Sequence, residues 1–274
     1  MNTQLVREKL DLTYLSWSVY RNSSGTAGSF LKSYSELGGK KIYYKLSNFD
    51  KVQGVIGHEC VNELIVDRLL TILGIPHLSY QLIHADIMLE GKVQAVYHCA
   101  SEDFKEKGES KIALDAYKER EAYEAESALD FCTRKGWENY IYQMIIVDYL
   151  ILNRDRHGAN IEVLRNSRKK TLHLAPLFDH GLSLLCRCMN DSQVEAFDVM
   201  EDKLCNNFIG SRSTWENLKL IPKDKLSALH PLCESDRETI MEGLDDIISK
   251  TLKDKIWEMI WKRWCAYEDF CNSR

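Results

Sequence analysis

The stretch that decides the fold runs from Ile151 to Gly181 and reads ILNRDRHGANIEVLRNSRKKTLHLAPLFDHG. It contains two short apolar segments joined by the basic turn RNSRKK, a pattern that predicts a two-stranded hairpin. Asp155 and Asn160 precede the first of these strands, and Asp179 follows the second. The hairpin is therefore expected to bring three oxygen-bearing side chains to one end of a two-stranded ribbon.

These three side chains suit a magnesium-nucleotide site. Mg²⁺ prefers oxygen ligands and is commonly held by one or two carboxylates together with the phosphates of the substrate. With Asn160 and Asp179 as ligands, Asp155 is left to position or deprotonate a nucleophile. The stretch therefore predicts an ATP- and Mg²⁺-dependent phosphotransferase.

Length and composition exclude several other classes. A chain of 274 residues can form one large domain or two lobes around a cleft, and 45% apolar and 28% charged residues are typical of a globular protein. The net charge of −5 argues against direct binding of nucleic acid. No apolar run approaches the ~20 residues that cross a bilayer, and the first residues lack the apolar core of a signal peptide. We therefore expect a cytoplasmic protein without a membrane partner, although delivery into a host cell stays open.

The nine cysteines are scattered along the chain. The one close pair, Cys186 and Cys188, has no matching second pair, whereas structural zinc sites generally need two. Reduced structural thiols are the favoured interpretation.

A turn rich in serine and glycine lies between apolar segments near the N-terminus. Glycine lets the backbone approach a ligand and turn its N–H groups toward phosphate oxygens, although an ordinary hairpin turn has the same composition. The candidate nucleotide contacts in this turn are Ser24, Gly25, Gly28 and Ser29.

A lysine and a glutamate follow this turn in a suggestive order. Lys45 lies in the alternating segment 42–47, which predicts a strand, and residues 58–74 have the apolar spacing of a helix. Glu63 lies in that helix eighteen residues after Lys45, the order found in the small lobe of kinases. Glu63 is the preferred partner of the lysine and Glu59 the reserve, against the alternative that both are surface glutamates.

Two further strands, 78–89 and 92–99, are predicted around a turn at 90–91. The backbone at Tyr97 and Cys99 is then the expected exit toward a second lobe, where it would contact the adenine edge. Residues 1–100 are thus predicted to form an N-terminal lobe, a mainly antiparallel sheet with one helix.

Residues 101–274 are predicted to form a mainly helical C-terminal lobe. The segment 137–152 is apolar on nearly all sides, as expected of a buried helix, and it leads directly into the loop that carries Asp155. Capping boxes at Ser213 and Ser235 predict two more helix starts, and 240–270 has apolar residues at helical spacing. The fold class is α+β, a bilobal protein-kinase-like fold.

The motifs N-R-D-R-H-G-A-N and L-F-D-H-G resemble the catalytic and metal-binding motifs of HipA-like serine/threonine kinases, and the compact CtkA-type members most of all. The resemblance runs from about Trp17 to the C-terminus. Phosphoinositide kinases share D-R-H-x-x-N and F-D-x-G. Ordinary eukaryotic protein kinases match less well, because histidine and arginine precede the aspartate there, whereas His157 follows it here.

The resemblance implies a role for each candidate residue. Asp155 would orient or deprotonate the acceptor hydroxyl, and Asn160 with Asp179 would hold Mg²⁺. Lys45 would neutralise the ATP phosphates, with Glu63 setting its position. His157, grouped with Asp155 as catalytic, would support the loop and would not transfer a proton.

The resemblance also implies a protein substrate, phosphorylated on serine or threonine, and autophosphorylation of the serine-rich turn at Ser23, Ser24 or Ser29. A toxin of this family would have an antitoxin-like partner. Two alternatives stay open: a kinase for phosphoinositides or other small molecules, and a toxin or pseudokinase module that acts mainly by binding a partner. The acidic composition disfavours a phosphoinositide substrate.

Overall fold

The computed structural model describes residues 4–18, 30–226 and 229–273. The N-terminal part is built on a five-stranded sheet in the order β1-β6-β7-β3-β2. Its strands are β1 (Leu5–Asp11), β2 (Lys32–Leu37), β3 (Lys40–Lys45), β6 (Gln81–Leu89) and β7 (Lys92–Glu102), and a small hairpin of β4 (Phe49–Asp50) and β5 (Gly54–Val55) lies between β3 and β6 in the chain. All pairs in the large sheet are antiparallel except β1 with β6, which is parallel. The prediction of a mainly antiparallel sheet is confirmed.

Helix α1 (Glu59–Ile72) packs on this sheet, and its residues from Glu59 to Leu70 are all buried. It ends as the sequence predicts, because Gly74 has a φ of +70° and the Ile75 amide donates to the Leu70 carbonyl over 2.9 Å. A helix buried all round has the sheet on one side and the C-terminal part on the other.

Buried polar side chains of α1 join the two parts. Asn62 Nδ2 donates to the carbonyls of Gly181 and Ser183, over 3.0 and 3.1 Å. Six residues further along α1, Arg68 donates to the carbonyls of Ile240 and Glu242. The apolar core is accordingly continuous from α1 through the C-terminal part.

The remaining elements form the mainly helical C-terminal part. They are β8 (Ser110–Ala113), α2 (Leu114–Glu121), α3 (Ala128–Arg134), α4 (Glu138–Leu150), β9 (Asp155–Arg156), β10 (Glu162–Asn166), β11 (Thr171–Leu174), α5 (Asp191–Glu195), β12 (Asn206–Asn207), α6 (Thr214–Leu218), α7 (Asp236–Ile240) and α8 (Lys250–Ser273). Short 3-10 turns occupy Gly158–Asn160 and Lys223–Lys225. The α+β, two-lobed fold class is confirmed, while the boundary at residue 100 stays a prediction, since β7 runs on to Glu102.

The hairpin predicted from the 151–181 stretch is present. β10 and β11 pair antiparallel from Val163 opposite Leu174 to Asn166 opposite Thr171. β8 adds a third strand on the other side of β10, which the sequence pattern does not reveal. The buried helix predicted before it is α4, of which nine residues are buried.

Both predicted helix starts are present, but only one of the two serines makes the capping hydrogen bond. The Ser213 hydroxyl accepts a hydrogen bond from the Glu216 amide over 2.9 Å at the start of α6. The helix start predicted at Ser235 is also present, since α7 begins directly after it, but the Ser235 side chain makes no capping bond there. Instead the Asp236 carboxylate accepts from the Cys233 amide over 2.7 Å and holds that turn.

All nine cysteines are free thiols, and six of them are buried. Within residues 4–18, 30–226 and 229–273, no helix combines the length and apolar character that crossing a membrane requires.

His98 is a buried histidine in the second, smaller core on the sheet. Its side chain is 0% exposed and lies edge-on between the rings of Trp17 and Tyr44, at centroid distances of 5.7 and 5.6 Å. Neither ring nitrogen has a hydrogen-bond partner among the described residues. Burial lowers the pKa of His98 to about 4, so the imidazole is neutral in the folded protein.

His98 should therefore lower the free energy of unfolding in mild acid. Its folded pKa of about 4 lies below the usual 6.5, so as the pH falls below 6.5 the unfolded chain takes up the proton first. At about 1.4 kcal/mol per pH unit, stability should fall by ~2 kcal/mol between pH 6.5 and 5 through this residue. His98→Phe should remove that part, as measured by urea unfolding at pH 7 and pH 5. An equal loss in both proteins would contradict the assignment.

Candidate active site

The Lys45 ammonium lies between two carboxylates from distant parts of the chain. Its Nζ is 3.0 Å from Glu63 Oε1 on α1 and 2.5 Å from Asp179 Oδ1 on the loop after β11. The Glu63 side chain is fully buried, whereas those of Lys45 and Asp179 are 13% and 23% exposed. The second Glu63 oxygen accepts the His180 amide over 2.8 Å, so Glu63 holds both the lysine and the loop.

The opposite charges in this cluster stabilise the ionised form of Lys45. Burial by itself lowers the pKa of Lys45, but the charges of Asp179 and Glu63 outweigh it and hold the pKa well above its usual value. Burial raises the pKa of Glu63, and the nearby ammonium offsets part of that increase. An ammonium has three N–H donors, and within the described residues the protein accepts only two of them at Lys45. The Phe30 ring lies close by, with its centroid 5.1 Å from Nζ.

Asp155 lies in the loop that follows α4, with its carboxylate 30% exposed. Its amide donates to Asn153 Oδ1 over 3.1 Å, and its carbonyl accepts from Asn160 Nδ2 over 2.9 Å. The His157 ring nitrogen Nε2 is 3.7 Å from Asp155 Oδ2, on the same side of the loop. The loop therefore fixes the backbone of Asp155 and leaves its carboxylate accessible to solvent.

Arg156 joins this loop to the loop that carries Asp179. Its guanidinium is fully buried and is paired with Asp148 of α4, with nitrogen–oxygen distances of 2.9 to 3.2 Å. Its Nη1 donates to the carbonyls of both Asn160 and Phe178, over 3.3 and 3.0 Å. One nitrogen thus binds the carbonyl of Asn160 and the carbonyl next to Asp179. This shared contact holds the two candidate metal ligands close to each other.

The side chains at this point suit Mg²⁺. Asn160 Nδ2 is engaged by the Asp155 carbonyl, so the amide oxygen is the end left for a ligand, and no group within the described ranges donates to it. Asp179 has a φ of +60°, a conformation that Asp adopts more readily than most residues. An amide oxygen and a carboxylate are the hard ligands that Mg²⁺ takes. Clusters of three or more His, Cys, Asp or Glu fit to bind a metal are absent from the described part of the chain.

Glycine allows the Asp179 loop to approach α1 closely. A β-carbon on Gly181 would lie 3.1 Å from Glu59 Cβ and 3.3 Å from the Glu59 carbonyl oxygen, closer than ordinary contact. Glu59 itself does not contact the lysine. Its Oε2 accepts from the Asn48 amide over 3.0 Å, so the reserve partner proposed for Lys45 has another role.

Two of the predicted nucleotide contacts lie elsewhere than expected. Tyr97 and Cys99 lie inside β7, where Cys99 is opposite Leu82 of β6 and Lys45 of β3, and Tyr97 stacks on His84. The chain does not leave the sheet at these residues as predicted, because β7 continues to Glu102. Their contact with the adenine edge stays a prediction. The Ser24–Ser29 turn, with Gly25 and Gly28, falls outside the described residues.

The sequence analysis missed the residues that hold the loops of Asp155 and Asp179 in place without being candidate ligands or bases themselves. Asp148 and Arg156 are one example, and the available signal was a single Asp within the apolar run 144–152. Tyr80 is another, since its hydroxyl accepts from the Asp179 amide over 3.2 Å. Gly158 packs the loop that carries Asp155 on α2 so tightly that a β-carbon there would lie 2.5 Å from Asp115 Cβ.

Comparison with known proteins gives a relationship in structure alone. No family model matches the chain, and no curated protein matches its sequence. A solved structure described as the Helicobacter pylori proinflammatory kinase CtkA superposes on 97% of this chain and 98% of its own, with a TM-score of 0.66 and 16% identity.

This chain has the CtkA fold. The similarity extends over both lobes, so the elements that carry Lys45, Asp155 and Asp179 belong to a fold shared from end to end. HipA, in the complex of the Shewanella oneidensis MR-1 toxin–antitoxin proteins HipA and HipB with operator DNA, matches at a TM-score of 0.44 and 16% identity. That match covers 93% of this chain and 68% of HipA.

The buried pair of Arg156 and Asp148 should dominate the stability of the CtkA-like C-terminal part. Arg156→Met leaves Asp148 buried without a cation, which should lower the free energy of unfolding by about 3–5 kcal/mol. Asp148→Leu in the same chain should restore part of the loss. Arg7→Met, which breaks an exposed pair with Asp246, is the matched control and should have little effect. Equal losses for the two arginine variants in urea unfolding would contradict this view.

Proposed function

We propose that this CtkA-like chain is an ATP- and Mg²⁺-dependent kinase that transfers the γ-phosphoryl group to serine or threonine hydroxyls of a protein. The observation that carries the proposal is the Lys45 ammonium held between Glu63 and Asp179. In kinases a strand lysine paired with a helix glutamate and a metal-binding aspartate form the phosphate site. At 16% identity the likeness to CtkA supports the fold alone, so the activity rests on these residues.

Phosphoryl transfer depends mainly on positioning and on stabilising charge. The bound magnesium nucleotide supplies the phosphoryl group and the metal charge. Lys45 has one N–H without an acceptor among the described residues, which suits a phosphate oxygen. Asn160 and Asp179 would hold the metal, and the Arg156 hydrogen bonds keep their two loops together.

Asp155 is the group suited to receive the proton. As the acceptor oxygen forms its bond to the γ-phosphorus, the bond from that phosphorus to the leaving oxygen breaks and the hydroxyl proton passes to the Asp155 carboxylate. The carboxylate is partly exposed on an otherwise fixed loop, so an acceptor side chain has access to it. His157 lies 3.7 Å from it, and its proposed role is to support this loop.

Among the described residues, no contact favours a lipid or small-molecule acceptor over a protein, so those alternatives stay in second place. The protein substrate and an antitoxin-like partner remain predictions from the sequence resemblance. The serines proposed for autophosphorylation fall outside the described residues. The pseudokinase alternative is less supported, because Lys45, Glu63 and Asp179 are all present and in contact.

Asp155→Asn should lower the rate of phosphoryl transfer by about 10²–10⁴, the usual contribution of a general base. The melting temperature should hardly change, because the side chain is partly exposed. The measurement is label transfer from γ-labelled ATP to lysate proteins and, in parallel, to phosphatidylinositol vesicles. Asp246→Asn, on an exposed aspartate, is the control. Transfer by Asp155→Asn at the wild-type rate would sink the assignment, and label in lipid alone would favour the lipid alternative.

Asp179→Asn should nearly abolish transfer, by at least about 10²–10³, because removing a charge aimed at the transferring group costs that much. Asn also tolerates the φ of +60°, so the backbone should keep its conformation. Binding of Mg-ATP is measured by calorimetry with and without magnesium. If Asp179→Asn keeps the magnesium dependence and affinity of the unaltered protein, the metal assignment is wrong.

A further inference from the structure

A short strand pairs directly with the catalytic loop. β12 runs parallel to β9, with Asn206 opposite Asp155. The Asn206 amide donates to the Arg154 carbonyl over 2.9 Å, and the Phe208 amide donates to the Arg156 carbonyl over 2.9 Å. Arg154 Nε in turn donates to the Leu204 carbonyl over 2.9 Å. The position of β12 is thus fixed on both sides of Asp155.

The side chain of Asn206 reaches the proposed base. Its Nδ2 donates to Asp155 Oδ1 over 3.3 Å. The other oxygen, Oδ2, lies on the side of His157. Asn206 is exposed, so its amide does not need a protein partner to satisfy it and water would serve equally well. The two oxygens of Asp155 therefore differ, because only Oδ1 accepts from Asn206. Neither residue needs this hydrogen bond in order to be buried.

We infer that Asn206 is a positioning residue that holds Asp155 Oδ1, so that Oδ2 is presented to the acceptor hydroxyl. This inference rests on the proposed phosphotransfer function of the same site. A partly exposed carboxylate otherwise rotates among staggered positions, and a misplacement of about 1 Å can cost on the order of 10²-fold in rate. An amide donor restrains it and, unlike a lysine or arginine, adds no positive charge that would weaken a base.

The neighbouring Asn207 provides a matched control. It lies on the same strand, but its Oδ1 accepts from the amides of Ile209 and Gly210, over 2.9 and 3.1 Å, and so holds the following turn. A purely structural role for β12 predicts that Asn207→Ala is at least as harmful as Asn206→Ala. A positioning role predicts a loss of rate for Asn206→Ala alone.

The experiment measures kcat, the KM for ATP and the melting temperature for four variants of the full chain: Asn206→Ala, Asn206→Asp, Asn207→Ala and Asp155→Ala. We expect Asn206→Ala to lower kcat about tenfold, with the KM for ATP and the melting temperature unchanged. Asn206→Asp keeps the size but replaces the donor with a second carboxylate, so it should lower kcat at least as much. Asn207→Ala should lower the melting temperature and leave kcat within about twofold.

A combined variant separates this inference from the proposed function. Asn206→Ala added to Asp155→Ala should have no further effect, because a positioning residue acts only through the group it holds. If the unaltered chain transfers phosphate and Asp155→Ala does not, yet Asn206→Ala has the wild-type kcat, the inference is wrong and the function stands. A wild-type kcat for Asn206→Asp, or an additive loss in the combined variant, would also overturn it. If Asp155→Ala keeps full activity, the proposed function fails first.

Discussion

The site depends on one buried charge. Glu63 lies in a helix that is buried all round, and its carboxylate is inaccessible to solvent, so the fold needs a cation beside it. Lys45 at the end of β3 supplies that cation and reaches Asp179 with the same ammonium. Because the buried Glu63 carboxylate of α1 requires a cation, the end of β3, helix α1 and the loop after β11 are held together at this point. The three groups of the proposed phosphate site meet because the buried Glu63 carboxylate requires a cation, and that cation also pairs with Asp179.

A second buried ion pair repeats this arrangement in the C-terminal part. Asp148 lies in the most apolar helix, and Arg156 neutralises it while donating to carbonyls in the loops of Asn160 and Phe178. The guanidinium has five donors in a fixed plane, so one side chain can hold a carboxylate and two backbone segments at once. The spacing between the two candidate metal ligands is therefore set by a residue that would touch neither metal nor nucleotide.

The sequence allowed the local elements to be predicted well. The hairpin of β10 and β11, the buried helices α1 and α4 and the glycine that ends α1 all follow from apolar spacing and turn residues. The errors involve pairing over long distances. Nothing in the pattern of Tyr97 and Cys99 shows that β7 is paired on both sides and continues to Glu102, or that β8 joins β10. The capping box at Ser235 gives the start of α7 correctly, but the side chain that holds the turn there is that of Asp236.

The sequence by itself determined which side chains can do chemistry, because the residue types and their order along the chain limit what Asp155, Asn160 and Asp179 can bind. Only the tertiary structure decided which of them meet. The choice of Glu63 over Glu59 beside Lys45 depends on the packing of α1, and the contact of Asn206 with Asp155 depends on a parallel strand pair 51 residues apart. Such contacts arise from the burial of whole elements, and that burial is a property of the folded chain that local sequence spacing does not encode.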